Sequence, residues 1–194
     1  MDALLLRSKL SRLDQSHVFP LTRRVESWRT ALPEEHRIPY FDPDDGGIHA
    51  RILLLMEKPG PGPNGLGVEF VSRDNDDPTA RNIDSLLSNA GIEREMMVIW
   101  NAVPAWNGER RITSQETENA GEALRKLLLL LTDLEVIVAV GRKAQSLLRK
   151  MNEGLPRHIE VLQSFHPSNQ VKNRWPEQYR SIEGVWREAC QLVQ

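Results

Sequence analysis

Runs of consecutive apolar residues mark the strands of this chain. Residues 52–56, ILLLM, are apolar without alternation, and three further strand-like runs cover residues 96–100, 135–140 and 159–164. A continuous apolar run of this length is typical of a parallel strand that is covered on both faces. Parallel strands need long, right-handed connections, so the pattern predicts an α/β fold with a four-stranded parallel sheet and helices on both faces.

Helix signals lie between the predicted strands. Asp77 precedes Pro78, a combination that favours the start of a helix, and Gly91 is suited to end it. Thr113 is followed three residues later by Glu116, which is the pattern of a capping box. Apolar spacings of three and four extend these helices and predict two more, over residues 142–151 and from Pro176 to about Leu192.

The first 50 residues have a different character. Residues 2–31 contain two helix-like segments separated near Phe19-Pro20, which we expect to pack on the outside of the core, and residues 33–48 form a turn-rich connector. The connector contains DPDDGG, residues 42–47, but Leu53 stands where a calcium loop requires a bidentate Glu, so we interpret the segment as a solvated turn. The whole chain, residues 1–194, is expected to form a single domain with this extension packed on it.

Each predicted strand ends next to a residue that could take part in chemistry or allow close approach of a ligand. Glu57 follows the first strand, Asn101 the second, Gly141 the third and His166 the fourth. The carboxyl ends of parallel strands meet at one edge, where open α/β sheets bind their ligands. We therefore expect a site at this edge that contains a carboxylate, an amide and an imidazole.

Composition excludes several classes of protein. The net charge of −2 and the pI near 6.2 argue against a surface that coats nucleic acid electrostatically, although Lys and Arg are concentrated in residues 142–150 and 172–174. The single Cys190 excludes a disulfide within the chain and a four-cysteine zinc or iron–sulfur site. The sequence has no signal-peptide or membrane-spanning pattern, so we expect a cytoplasmic protein, and a monomer.

One glycine motif offers an alternative function. Residues 60–65, GPGPNG, match the GxGxxG pattern of dinucleotide-binding loops that follow a strand. Pro61 and Pro63 lack the N–H groups that would bind a pyrophosphate, and no helix signal follows before Asp77. A nucleotide-binding enzyme is therefore the less favoured interpretation.

Five ordered motifs together resemble those of the uracil-DNA glycosylase superfamily. They are MEKPG at residues 56–60, EFVSR at 69–73, WNAVP at 100–104, VGRKA at 140–144 and FHPS at 165–168. The resemblance implies a three-layer α/β/α fold around a four-stranded parallel sheet, in agreement with the strand pattern. The chain lacks the four cysteines of the iron–sulfur branch of that family.

The resemblance also implies roles for individual residues. Glu57 and His166 would be catalytic, with Glu57 positioning water or stabilising positive charge on the sugar and His166 donating a hydrogen bond toward the uracil O2. Phe70 would stack on the extruded base and Asn101 would bind its edge. Lys58 would lie beside them, at a position where related motifs have Ala, Asp or Asn. The implied DNA-binding residues are Gly60, Pro61, Gly141, Arg142, Lys143, Ser168, Asn169, Lys172 and Arg174.

These observations predict a monofunctional DNA glycosylase that removes uracil or a related deaminated base from DNA, without a cofactor or metal ion. Hydrolysis of the glycosidic bond builds positive charge on the sugar and negative charge on the base, so a carboxylate and a hydrogen-bond donor both act on the transition state. The alternative, suggested by Lys58 and the acidic pI, is a member of the same family that binds DNA or a modified base without cleaving it.

Overall fold

The computed structural model describes residues 1–33, 35–151 and 155–194. Two short 3-10 helices, Gly47–His49 and Arg94–Met96, lie among its elements. The helices and strands, in chain order, are α1 (Ala3–Leu10), α2 (Phe19–Arg29), β1 (Tyr40–Phe41), β2 (Ile52–Met56), β3 (Phe70–Val71), α3 (Pro78–Ala90), β4 (Met97–Asn101), α4 (Ser114–Leu128), β5 (Val136–Val140), α5 (Arg142–Lys150), β6 (Glu160–Ser164), α6 (Asn169–Arg174) and α7 (Pro176–Leu192).

A four-stranded parallel sheet in the order β4-β2-β5-β6 forms the centre of the molecule, which confirms the predicted fold class. Strands β2, β4 and β5 are buried along their whole length, whereas β6 at the edge is partly exposed. The register places Met56 opposite Asn101 and Val140 opposite Ser164, so the strands end at the same edge. From β2 the chain crosses to β4, on one side of β2, and from β4 it crosses back to β5, on the other side. A topological switch point therefore lies between β2 and β5.

Helices cover both faces of this sheet. The connection from β2 to β4 contains α3, and the connection from β4 to β5, which runs in the opposite direction, contains α4. Because such crossovers are right-handed, the two helices lie on opposite faces. Helix α7 packs with α3, and α5 packs with α4. Within the described ranges, no helix has the length and hydropathy of a membrane span.

The predicted helix starts are confirmed. At the start of α3, the Asp77 carboxylate accepts hydrogen bonds from the N–H groups of Thr79 (2.8 Å) and Ala80 (3.0 Å). At the start of α4, Thr113 and Glu116 form the capping box. The predicted limits of β4, β5, β6 and α5 differ from those observed by one residue, because the terminal hydrogen bonds of an element depend on its neighbours.

A second sheet of two short parallel strands is absent from the sequence-based prediction. Strand β1 pairs Tyr40 with Phe70 and Phe41 with Val71 of β3. Strands of two residues are too short to show any period in the sequence. The Phe41 ring stacks on Trp100 of β4 with centroids 3.8 Å apart, so the small sheet joins the N-terminal extension to the core.

Helix α1 attaches to the rest of the chain through charge rather than through its leucines. Leu4 is 79% exposed and Leu10 is 41% exposed. Lys9 is fully buried instead. Its ammonium contacts the carboxylates of Asp42 (2.5 Å), Asp44 (2.5 Å) and Asp74 (2.8 Å).

The acidic turn at residues 42–47 is therefore buried, and its interpretation as a solvated turn is wrong. Asp42 is 1% exposed because it lies against Lys9. Burial alone would lower the pKa of Lys9, but its hydrogen bonds to three carboxylates raise the pKa, so the side chain stays protonated. The ammonium lies between oxygens of Asp42, Asp44 and Asp74 that are within 4.8 Å of one another, where a metal ion would otherwise fit.

Candidate active site at the carboxyl edge of the sheet

Glu57 lies at the switch point of the sheet, one residue beyond β2. Its Oε1 atom accepts a hydrogen bond from the backbone N–H of Lys143, 2.9 Å away, in the first turn of α5. The start of a helix carries unpaired N–H groups and partial positive charge, so it stabilises the anionic carboxylate. Among the described residues, Oε2 has no hydrogen-bond partner and can accept from a water molecule or a ligand. The side chains of Arg142 and Lys143 are exposed beside it.

Gly141 allows Glu57 to approach α5 this closely. Its φ of +89° lies in the region that favours glycine, and a Cβ atom on it would lie 2.6 Å from Oε1 and 2.9 Å from Cδ of Glu57. The N–H of Gly141 also donates to the carbonyl of Ser164 at 2.9 Å, which ties the ends of β5 and β6 together. Gly141 thus shapes the site from within, in addition to the DNA contact expected from the sequence.

We expect Gly141→Ala to displace Glu57 and to destabilise the protein more than Gly91→Ala does. Gly91 is the matched control, because its φ is +75° but no atom lies within 4 Å of an added Cβ. A non-glycine residue costs about 1–2 kcal/mol in the left-handed region of Gly91, and at least as much at Gly141, whose ψ of 162° lies in a region that is essentially restricted to glycine. Only in Gly141→Ala does the added methyl group also clash with the carboxylate of Glu57. Thermal unfolding measures the difference, and equal losses would mean that Glu57 moves aside at no cost.

Asn101 presents a side-chain amide at the same edge. It is the last residue of β4 and pairs with Met56, the residue before Glu57. Asn101 is only 5% exposed, yet its amide makes no hydrogen bond within the described part of the chain. The backbone that follows stays next to β2, because the N–H of Val103 donates to the carbonyl of Glu57 at 2.9 Å. A nearly buried amide with a free donor and a free acceptor suits a ligand that offers the complementary pair.

His166 lies two residues beyond β6 and is half-buried. Burial lowers the pKa of its imidazole, and the nearby carboxylates of Glu57 and Asp77 reverse only part of this shift. The net shift is downward, so the imidazole is neutral at neutral pH and has one N–H to donate. The site therefore combines a carboxylate held by a helix start, an unpaired amide and a neutral imidazole.

The segment after His166 is a short helix with basic residues. Ser168 caps α6, since its hydroxyl accepts a hydrogen bond from the N–H of Val171 at 3.3 Å. Lys172 and Arg174 are exposed on this helix, as expected for residues that meet DNA. Asn169 and Lys172 also contact Asn82 of α3, which the sequence pattern does not reveal because these partners lie 87 and 90 positions away.

The ammonium of Lys58 is engaged within the chain, so in this conformation it is not free to bind a base as the resemblance implied. Its ammonium donates to Asn107 Oδ1 (2.7 Å), the Arg111 carbonyl (3.2 Å) and Glu116 Oε1 (2.7 Å), which uses all three N–H groups. Lys58 therefore joins the loop after β2 to the capping box of α4. Burial would raise the pKa of Glu116, but the hydrogen bond from Lys58 and those from Thr113 lower it.

Phe70 is fully buried in β3, and its ring lies against Tyr40 with centroids 6.1 Å apart. No face of the ring is accessible, so in this conformation Phe70 cannot stack on an extruded base as the resemblance implied. The pairing of β3 with β1 is the physical reason, because it places Phe70 inside a second sheet that the sequence pattern does not show.

The glycine-rich loop after β2 leads into a strand, which contradicts the dinucleotide-binding interpretation. The N–H of Gly67 donates to the Pro61 carbonyl at 2.7 Å, and Trp106 Nε1 donates to the Gly65 carbonyl at 3.0 Å. The chain then enters β3, and the next helix begins only at Pro78. A pyrophosphate would have no helix start to bind. Gly60 and Pro61 are half-exposed at the edge of the site.

Comparisons with known proteins agree with this architecture. A solved structure, that of wild-type SMUG2 from Pedobacter heparinus, aligns with 92% of this chain and 85% of its own, with a TM-score of 0.52 and 14% sequence identity, a similarity of fold. A search of curated proteins finds no match. The family model described as the uracil DNA glycosylase superfamily matches residues 43–190, which contain the whole sheet and every residue of the candidate site. The chain belongs to the uracil DNA glycosylase superfamily.

Proposed function

We propose that this protein is a monofunctional DNA glycosylase that hydrolyses the N-glycosidic bond of uracil, or of a related deaminated base, and leaves an abasic site in DNA. The observation that carries the proposal is the placement of Glu57, Asn101 and His166 at one edge of the sheet, around the switch point. Membership of the superfamily supports a DNA glycosylase. The substrate and the cleavage itself are our proposal.

The three side chains match the charges that develop in the reaction. As the glycosidic bond lengthens, the sugar becomes positive and the departing base becomes negative. The Glu57 carboxylate stabilises the sugar cation and accepts a proton from the attacking water through its free oxygen. The neutral imidazole of His166 donates a hydrogen bond to the base oxygen that gains negative charge. Both groups act mainly on the transition state, which is what raises the rate of the chemical step.

Asn101 selects the base. Uracil presents the O4 acceptor and the N3–H donor side by side, and an amide offers the complementary donor and acceptor. Cytosine presents the reverse order on the same edge, so it would leave both groups of the amide unpaired or opposed. A nearly buried amide makes this mismatch costly because water cannot replace the lost hydrogen bonds.

The direct test is base release from oligonucleotides that contain uracil, hypoxanthine or xanthine, followed by alkali to cleave abasic sites. Release of one or more of these bases is expected, and the pattern defines the lesion class. Tight binding to such an oligonucleotide without release would favour the non-cleaving member of the family. No binding and no release would refute the proposal.

Glu57→Gln should slow uracil release while leaving DNA affinity nearly unchanged. The substitution preserves size and the acceptor for the Lys143 N–H, but removes the negative charge and the ability to take a proton from water. Single-turnover rates and binding titrations measure the two effects. Glu69→Gln is the matched control, because Glu69 is exposed and the substitution also removes one negative charge. Normal cleavage by Glu57→Gln would assign the activation of water to another group.

DNA binding should weaken as salt rises, despite the acidic pI, because exposed Lys172 and Arg174 neutralise phosphates. Replacing both with Ala should reduce the slope of log K against log salt by about 1 per contact, for damaged and undamaged DNA alike. Replacing Arg149 and Lys150, which end α5 at the far edge of the sheet, changes the net charge equally and is the control. A loss confined to one lesion would contradict the phosphate role.

A further inference from the structure

Asn82 joins α3 to the loop that carries His166. The residue is 8% exposed, and its side chain bonds only to residues far along the chain. Its Nδ2 donates to the Pro167 carbonyl (2.9 Å) and to Asn169 Oδ1 (3.0 Å), and its Oδ1 accepts from Lys172 Nζ (3.4 Å). One buried amide therefore contacts the peptide next to His166 and two residues of α6.

The His166 side chain has no hydrogen bond of its own to hold it, within the part of the chain that is described. Its position depends on the backbone on either side. Before it, the Ser164 carbonyl accepts from the Gly141 N–H (2.9 Å) and from Gln145 Nε2 (2.9 Å). After it, Pro167 has no N–H, so the loop can be fixed through the Pro167 carbonyl, and Asn82 is the donor.

We propose that Asn82 is a positioning residue. It fixes the His166 loop and the Lys172 ammonium in one geometry, so that the imidazole contacts the base while Lys172 contacts the DNA backbone. The inference rests on the proposed function for what His166 does, and on the contacts of Asn82 for how it is held. Displacement of a reacting group by about 1 Å can lower a rate on the order of 10²-fold, so a donor outside the site can control it.

The polarity of the Asn82 amide is essential to this role. The Pro167 carbonyl can only accept a hydrogen bond, and the Lys172 ammonium can only donate one. An amide satisfies both, whereas a carboxylate at the same place would turn a lone pair toward the Pro167 carbonyl. Asn82→Asp therefore conserves size, and even strengthens the contact with Lys172, while it breaks the contact next to His166.

The test compares Asn82→Asp and Asn82→Ala in the full chain, each with and without His166→Ala. Single-turnover uracil release should fall on the order of 10-fold when His166 is present and change little when it is absent, because Asn82 would act on His166 through the backbone of Pro167, and sites coupled through a backbone shift are not additive. Asn89→Ala is the matched control on the same helix, where the amide donates to Glu183 Oε2 at 3.2 Å on the surface, and it should cleave normally. An equal loss in both backgrounds would overturn the proposal, since it would mean a general structural role.

A second measurement separates this inference from the proposed function. The titration of the His166 imidazole, followed by NMR, should move to higher pH in Asn82→Ala, because a loosened loop admits water around the ring. Asn89→Ala should titrate as the original chain does. If the original chain releases no base, the proposed function fails while this titration still tests Asn82. An unchanged titration in Asn82→Ala would overturn the positioning role whether or not the protein cleaves DNA.

Discussion

His166→Ala should lower the single-turnover rate of uracil release by about 10²–10³-fold, with little change in DNA affinity. The imidazole is neutral because burial lowers its pKa, so its N–H is available to the base as negative charge develops there. Its loss removes a transition-state contact that the undistorted substrate makes only weakly. Single-turnover kinetics with saturating enzyme separates this rate from binding.

His158→Ala is the matched control for this prediction, because His158 is exposed and precedes β6 at the opposite edge of the sheet.

The pH dependence of stability is a second measurement, made on the original chain and on His166→Ala. The folded chain binds a proton at His166 less readily than the unfolded chain, so stability contributed by the neutral ring is lost as pH falls below about 6.5. This loss should be smaller in His166→Ala. If His166→Ala lost affinity for DNA and kept its rate of cleavage, His166 would have a structural role.

Asn101→Asp should reduce the preference for uracil over cytosine on the order of 10³-fold or more. The carboxylate retains an acceptor for N3–H but has no donor for O4 of uracil, and when protonated it offers the pattern that cytosine requires. The effect is large because Asn101 is almost fully buried at the end of β4. Release rates from matched uracil and cytosine oligonucleotides measure it.

Asn119→Asp serves as the control for the added charge, because Asn119 is exposed on α4 and bonds to Gln115 one turn away. It should leave the discrimination unchanged. If Asn101→Asp cleaves uracil at the original rate and still ignores cytosine, Asn101 serves only to end the strand.

The strands and the edge they share follow from local patterns in the sequence. Residues 52–56 are apolar without interruption because β2 lies inside the sheet with neighbours on both sides. Once the strands are parallel, the placement of Glu57, Asn101 and His166 at one edge follows from topology alone. The helix starts at Asp77 and Thr113 were equally predictable, because capping depends on residues two or three positions away.

The contacts that the sequence pattern does not reveal have a different physical origin. Lys58 faces Glu116 and Phe70 faces Tyr40 because of contacts between segments that are distant in the chain, and no period or spacing encodes such pairs. Asn82 was missed for the same reason, since its partners lie in the loop after β6 and in α6, which follow three further strands. In most helices the apolar side chains are buried and the charged ones are exposed. In α1 Lys9 is buried and Leu4 is exposed, so the apolar pattern of the sequence does not indicate which side of this helix faces the protein.

The buried ammonium of Lys9 also sets an order of events during synthesis. Helix α1 leaves the ribosome before the partners of Lys9 do, since Asp42 follows Lys9 by 33 positions and Asp74 follows later still. Until Asp42, Asp44 and Asp74 have emerged and come together, the charge of Lys9 lacks its full set of partners and stays in water, because burial of a poorly paired ammonium is costly. Docking of α1 therefore requires closure of a long loop, and α1 cannot reach its native position before the chain has been made as far as Asp74.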